Sequence, residues 1–210
     1  MSEPISYWRG WTENQLAEYQ QDQGSTNHCA KFAAATALNL LYGVSLDGNS
    51  LVEWLNGRFF KGTMRYTIFG NNNGSLVYQT ANLVRKLGQQ NGFFPKVRSK
   101  IGREDTLKEI IKDGSSITIV SMSYIQDHEP VIAYGEKTTT SLGKTRWVGG
   151  HVMIFAAYDP GHRNEEGTIT PWGFLSSWPA KDHLYWMTED DFKRSWGRFS
   201  LFNMVTIKLV

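Results

Sequence analysis

The chain has 210 residues, 40% of them apolar, with a formal net charge of +2, eight Trp, eleven Phe and one Cys. This is ordinary globular composition, long enough for one domain with a sizeable core. A single cysteine excludes an internal disulfide, the absence of a long basic block argues against a nucleic-acid partner, and no apolar run approaches the ~20 residues of a membrane span. The start "MSEPISYWRGW" lacks a basic region followed by an apolar one. A cytoplasmic location is the default expectation, with secretion after removal of a signal left open.

In chain order, residues 28 to 42 form the first strong helix, with Asn27 as N-cap and Gly43 as its stop. Its polar residues Lys31, Thr36 and Asn39 share one arc, and the rest is Ala, Leu, Phe, Cys and Tyr, so the helix should be central and mostly buried. Further helices are expected at 45 to 57, at 72 to 88 after an Asn/Gly turn, and at 103 to 114, where Thr106 and Glu109 have capping-box spacing. From residue 116 the pattern turns to strands: "SITIVSMS", "PVIAYG", "RWVGGHVMIFAAYD", "TITPWGFLSSW" and "NMVTIKLV". One late helix, 187 to 197, carries acids in its first turn and Lys193 and Arg194 in its last. The expected architecture is α+β in one domain. A mainly helical lobe (about 1 to 114) precedes an antiparallel sheet lobe (about 115 to 210), and a groove between lobes is a usual ligand site.

Cys29 opens the first helix, where free backbone N–H groups and the helix dipole favour a thiolate. The expectation is a pKa below the ordinary ~8.5. The alternative is a small apolar residue filling a helix contact. Gln23 stands six residues earlier, and its amide, with the Cys29 N–H, has the makings of an oxyanion hole. Of five histidines, His28 points about 100° away from Cys29 on a helix, and His128, His162 and His183 sit in loop or short-strand contexts. His151 differs: it follows Gly149 and Gly150 and begins an apolar strand. The glycines allow another backbone, a substrate's included, to approach closely. Asp159 lies roughly 26 Å along the same strand and is better read as a turn former. If Tyr158 pairs with Ile169, His151 faces Ser176, and a register shift of one puts Ser177 there. No metal set and no phosphate loop is apparent, and no cofactor is expected.

The run "QGSTNHCAKFA" resembles the active-site segment of papain-like cysteine peptidases: an oxyanion Gln, Gly-Ser, and the nucleophilic Cys six residues after the Gln. The resemblance continues in order. "NNGSLVYQTANLVRKLG" resembles the segment whose turn lines the substrate cleft, "GGHVMIFAAYD" the strand bearing the catalytic His, and "GFLSSWP" the Asn-Ser-Trp-Gly segment whose Asn orients that His. It runs from about Gln23 to the last strand. Ala30 replaces a Trp, the papain cysteines for disulfides are missing, and Ser176 replaces the Asn. In its shortness, its lack of disulfides and the "MTEDDFKRSW" helix after the third motif, the chain looks more like bacterial relatives, the double-glycine-leader peptidase domains and their stand-alone cousins.

The resemblance implies Cys29 as nucleophile, His151 as general base and then acid, and Gln23 with the Cys29 N–H as oxyanion hole. It also implies Ser176, or a water it holds, as the group orienting His151, with Trp178 shielding the pair. Asn73, Gly74 and Gly150 would line the cleft for an extended peptide or protein substrate. Hydrolysis of an amide bond through a thioester is the expected reaction. Transfer to an amine, deamidation of Gln, and a non-catalytic binding module on the same scaffold stay open.

Overall fold

Helix α1 (Glu13–Ala17) starts at a capping box: Gln15 N donates to Thr12 Oγ1 at 3.3 Å, and Thr12 N to Gln15 Oε1 at 2.8 Å. This is a computed structural model, and it describes residues 5–24, 28–51, 77–125, 131–132, 136–137, 147–178, 183–198 and 201–210. Helix α2 (Cys29–Tyr42) is buried from Cys29 to Leu41, as its Ala- and Leu-rich sequence requires. Gly43 ends it in the left-handed conformation (φ 65°), with its N–H returned to Asn39 O. The N-cap position belongs to His28, not to Asn27, which lies outside the described residues. Helix α3 spans Val77–Gln90 and helix α4 spans Glu104–Asp113. The capping box expected at Thr106 and Glu109 does not form: the helix begins at Glu104 after Arg103, so Thr106 is already inside it. The helix expected over 45 to 57 is a short 3-10 turn at Gly48–Leu51 within the described residues.

The strands are β1 (Ser6–Tyr7), β2 (Lys96–Ile101), β3 (Ser116–Ile125), β4 (Val131–Ile132), β5 (Glu136–Lys137), β6 (Trp147–Tyr158), β7 (Trp172–Leu175), β8 (Tyr185–Met187) and β9 (Asn203–Lys208). They form one antiparallel sheet in the order β2-β9-β3-β6-β7-β8-β4-β5, with β1 on β6. The first half of the chain is therefore not purely helical, since it adds β1 and β2 to the sheet.

Helix α2 packs on β3 and β6, the central strands. Val152 and Ile154 of β6 line a small cavity with Ala33 and Thr36 of α2. By strand alternation Phe155 lies on the opposite face. There it meets Trp172 and Phe174, which pack on Phe192 of helix α5 (Glu189–Phe192). Thr188 caps α5, and a π-helical turn, Lys193–Arg198, continues it. Lys193 pairs with Glu189 at 2.8 Å and with Glu104 of α4 at 3.6 Å. The register of β6 and β7 differs from the expected one: Tyr158 pairs with Trp172, and Ile169 bridges Arg163 instead. The pairing also shifts between Phe155 and Ala157.

Candidate active site

Cys29 is the first residue of α2, and its sulfur lies among the backbone N–H groups of Val152, Ala30 and Cys29 itself. Val152 follows His151, so the thiol rests against the β6 backbone beside that histidine. Cys29 is 8% exposed and His151 3%. The Cys29 thiol thus reaches the strand that carries His151, 122 positions away, because α2 crosses the middle of the sheet.

The His151 ring is held on two sides. Its Nε2 lies 2.9 Å from Ser176 Oγ, in a buried contact. Trp178 stacks on the ring, centroids 4.1 Å apart and planes 10° from parallel. Ser176 therefore reaches the ring directly, without an intervening water. Trp178 N donates to the same hydroxyl oxygen at 3.2 Å, which fixes the serine in turn. The contact is made just beyond the end of β7, and not through the register expected from the sequence.

Ser177 does something different. Its hydroxyl donates to Gln23 Oε1 at 2.6 Å, and Gln23 N donates to Ser177 O at 2.8 Å. These two bonds pin the Gln23 backbone and its amide oxygen to Ser177. Adjacent serines thus hold the histidine and the glutamine. A further residue, Gln20, escapes sequence reasoning. Its Oε1 accepts from Ser176 N at 3.1 Å and its Nε2 donates to His183 O at 2.7 Å. A glutamine 156 positions from its partner carries no local signal that would have found it.

Burial dominates the electrostatics. The Cys29 thiol is pushed up to about 11 by desolvation, against the smaller pull of the three backbone N–H groups. The expectation of a lowered thiol pKa is corrected: in this closed site the lost hydration of a thiolate outweighs the field of the helix end. Desolvation pushes His151 down to about 3. Among the described hydrogen bonds none joins Cys29 to His151. Burial thus disfavours the charged form of both groups.

Gly150 is exposed on β6, opposite Ser123. Asn73, Gly74 and His128 lie outside the described residues. Asp159 is a turn residue, its carboxylate accepting from Gly161 N at 2.8 Å. His162 stacks on Trp186 at 3.8 Å and bonds Thr170 Oγ1 through Nδ1 at 2.8 Å. No group of His, Cys, Asp and Glu among the described residues is arranged to hold a metal ion. No helix among them is long and apolar enough to cross a membrane.

No family model and no curated protein matches the sequence. Solved structures do match the fold. One described as a C39-like peptidase from Bacillus anthracis superposes with a TM-score of 0.60 at 12% identity, covering 98% of each chain. Xylellain, a cysteine protease from Xylella fastidiosa, superposes with a TM-score of 0.58 at 15% identity, covering 100% of this chain and 87% of its own. The central helix opening at Cys29, laid on an antiparallel sheet that carries His151, is the α+β fold of the papain-like cysteine peptidases.

Proposed function

We propose that this protein is a thiol-dependent hydrolase that cleaves amide bonds in peptides, with Cys29 as nucleophile and His151 as base and acid. The observation that carries the reading is the His151 Nε2 to Ser176 contact of 2.9 Å under Trp178, on the strand whose next residue meets the Cys29 sulfur. Nε2–H donating to Ser176 leaves Nδ1 with its lone pair, the arrangement a base needs. As the sulfur attacks the substrate carbonyl carbon, Nδ1 takes the thiol proton. The carbonyl oxygen gains the electron pair and is held by the Cys29 N–H and the Gln23 amide. When the oxyanion collapses, the C–N bond breaks and the leaving amine takes the proton from Nδ1. Water, deprotonated by the same nitrogen, then releases the acid from the thioester. Burial disfavours both charged forms, so on this reading proton transfer accompanies attack. Gly150 offers its bare backbone to an extended peptide.

The burial of the pair also favours a second reading, a peptide-binding module without turnover. The deciding experiment is hydrolysis of a fluorogenic peptide library by wild type, Cys29→Ala and His151→Ala. Turnover lost in both variants supports the hydrolase. Binding without turnover in all three supports the module. Release of ammonia from Gln-containing peptides, or capture of an added amine, identifies deamidation or acyl transfer.

A further inference from the structure

Lys31 lies at the third position of α2, 1% exposed, and its Nζ has no hydrogen-bond partner. His28 Nδ1, at the N-cap position, is also buried and unpartnered. Residues three apart on a helix share a face, and helical side chains lean toward the N-terminus, so Lys31 runs back toward His28. Burial depresses His28 most, and the positive charge of Lys31 adds to it, which places the two side chains near each other. Cys29 lies about 200° around the helix from Lys31, on the other side.

This placement costs stability three times over. An ammonium is desolvated, it lacks an acceptor, and it sits at the positive end of a 14-residue helix, where the dipole disfavours cations. An apolar side chain of the same length would avoid all three costs. A bound anion reverses their sign: it pairs the ammonium, accepts from His28, and suits the helix end. One cation and one ring N–H match the two oxygens of a carboxylate. The His28 ring is partly exposed, which leaves the site an approach.

We propose that Lys31 and His28 form a carboxylate-binding subsite at the N-terminal end of α2, on the face turned from Cys29, and that it selects an acidic side chain of the bound peptide. The carboxylate site stands on the orphaned donors alone. Its role in selection rests on the peptidase reading above.

The test separates the two. Thermal unfolding is followed in sodium acetate and in sodium chloride at matched ionic strength. Acetate at about ten times its dissociation constant should raise the melting temperature of wild type and of Cys29→Ala by about 3–6 °C over chloride. Lys31→Met should lose that difference and should melt higher than wild type in chloride. Equal melting in the two salts overturns the site, whatever the enzyme activity. Decapeptides on an Ala/Gly background, with a single Glu or Gln walked along them, are then bound to Cys29→Ala. At one position Glu should bind about tenfold tighter than Gln, and Lys31→Met in the Cys29→Ala background should abolish the gap. An acetate effect with equal Glu and Gln binding, or with no peptide binding, overturns substrate selection and leaves a site for free anions.

Discussion

Ser176 occupies a place where a longer amide side chain would have further to reach, yet its hydroxyl already lies 2.9 Å from the His151 ring. A neutral hydrogen bond contributes about 0.5–1.5 kcal/mol, so Ser176→Ala should slow turnover by roughly tenfold. His151→Ala should cost several orders of magnitude, because it removes the base. Comparable losses in the two variants would make Ser176 more than an orienting group. At this distance an asparagine has no missing reach to supply. No gap separates serine from ring, and Ser176 is buried. Ser176→Asn must displace neighbours at a cost of about 1–3 kcal/mol, and both its rate and its melting temperature should fall. A faster Ser176→Asn enzyme would place the ring farther from residue 176 than the structure does. At Cys29 the expectation does change. With the thiol pushed up to about 11, iodoacetamide should label it slowly at pH 6 and faster toward alkaline pH. Rapid labelling at pH 6, followed by intact mass, would mean that the free enzyme already holds the thiolate.

Three consecutive residues, 176–178, leave β7 and serve three neighbours: Ser176 the histidine, Ser177 the glutamine, Trp178 the ring face. Gln20 ties this segment to residue 183 through two hydrogen bonds and so positions Ser176. Gln20→Glu keeps the acceptor for Ser176 N and loses the donor to His183 O, whereas Gln20→Leu loses both. Turnover number should therefore fall in the order wild type, Gln20→Glu, Gln20→Leu, with the Michaelis constant little changed. His151 ring nitrogen shifts in NMR should move in the same order, and unmoved shifts would reduce Gln20 to a purely structural tie. Gly173 of β7 is needed for another reason. A Cβ there would lie 2.9 Å from Ala157 Cβ and 3.0 Å from the Trp186 ring, so Gly173→Ala should lower the melting temperature. At about 1–3 kcal/mol of overpacking and roughly 2–4 °C per kcal/mol, a drop of several degrees is expected. Elements were legible where periodicity and punctuation agreed, as in α2 with Gly43 after it. Strand β2 was missed because it is an edge strand: Lys96, Arg98 and Lys100 alternate with Val97, Ser99 and Ile101, and all but Val97 are exposed. It therefore shows no apolar face to read. The capping box at Thr106 failed because Glu104 and Asp105, placed to favour the helix dipole, start the helix earlier.

Across the whole molecule, the order of motifs was readable but the contacts between them were not. Cys29 reaches the strand that bears His151 and its Ser176 contact only because α2 crosses the centre of a sheet whose strands come from both halves of the chain. Burying that meeting point makes stability depend on pH. His151 is held near 3, against 6.5 for an ordinary histidine, so between those values the unfolded chain binds the extra proton. Stability should be flat with respect to His151 above pH 6.5 and should fall by about 1.4 kcal/mol per pH unit as pH drops below it. Burial lowers His28 and His162 as well, and both add to the same acid limb. On the alkaline side Lys31 opposes Cys29, and Tyr7, pushed by burial from 10.0 to about 12, adds a decline above pH 10. Cys29, raised from 9.0 to about 11, keeps its proton longer when folded, so its contribution is lost as pH rises through that window. Lys31, lowered from 10.5 to about 8, loses its proton sooner when folded, so stability gains as pH rises from 8 to 10.5. Between pH 9 and 10 the Cys29 and Lys31 slopes cancel. Urea unfolding across pH should therefore show a steep acid limb and a level alkaline stretch. His151→Gln should flatten the acid limb by about 1.4 kcal/mol per pH unit. Lys31→Met should remove the compensating gain and expose a decline above pH 9, which Cys29→Ala in the same background should abolish between pH 9 and 10, leaving the Tyr7 decline above it. An acid limb unchanged by His151→Gln would mean that His151 is hydrated, and the closed site described above would then be open in solution.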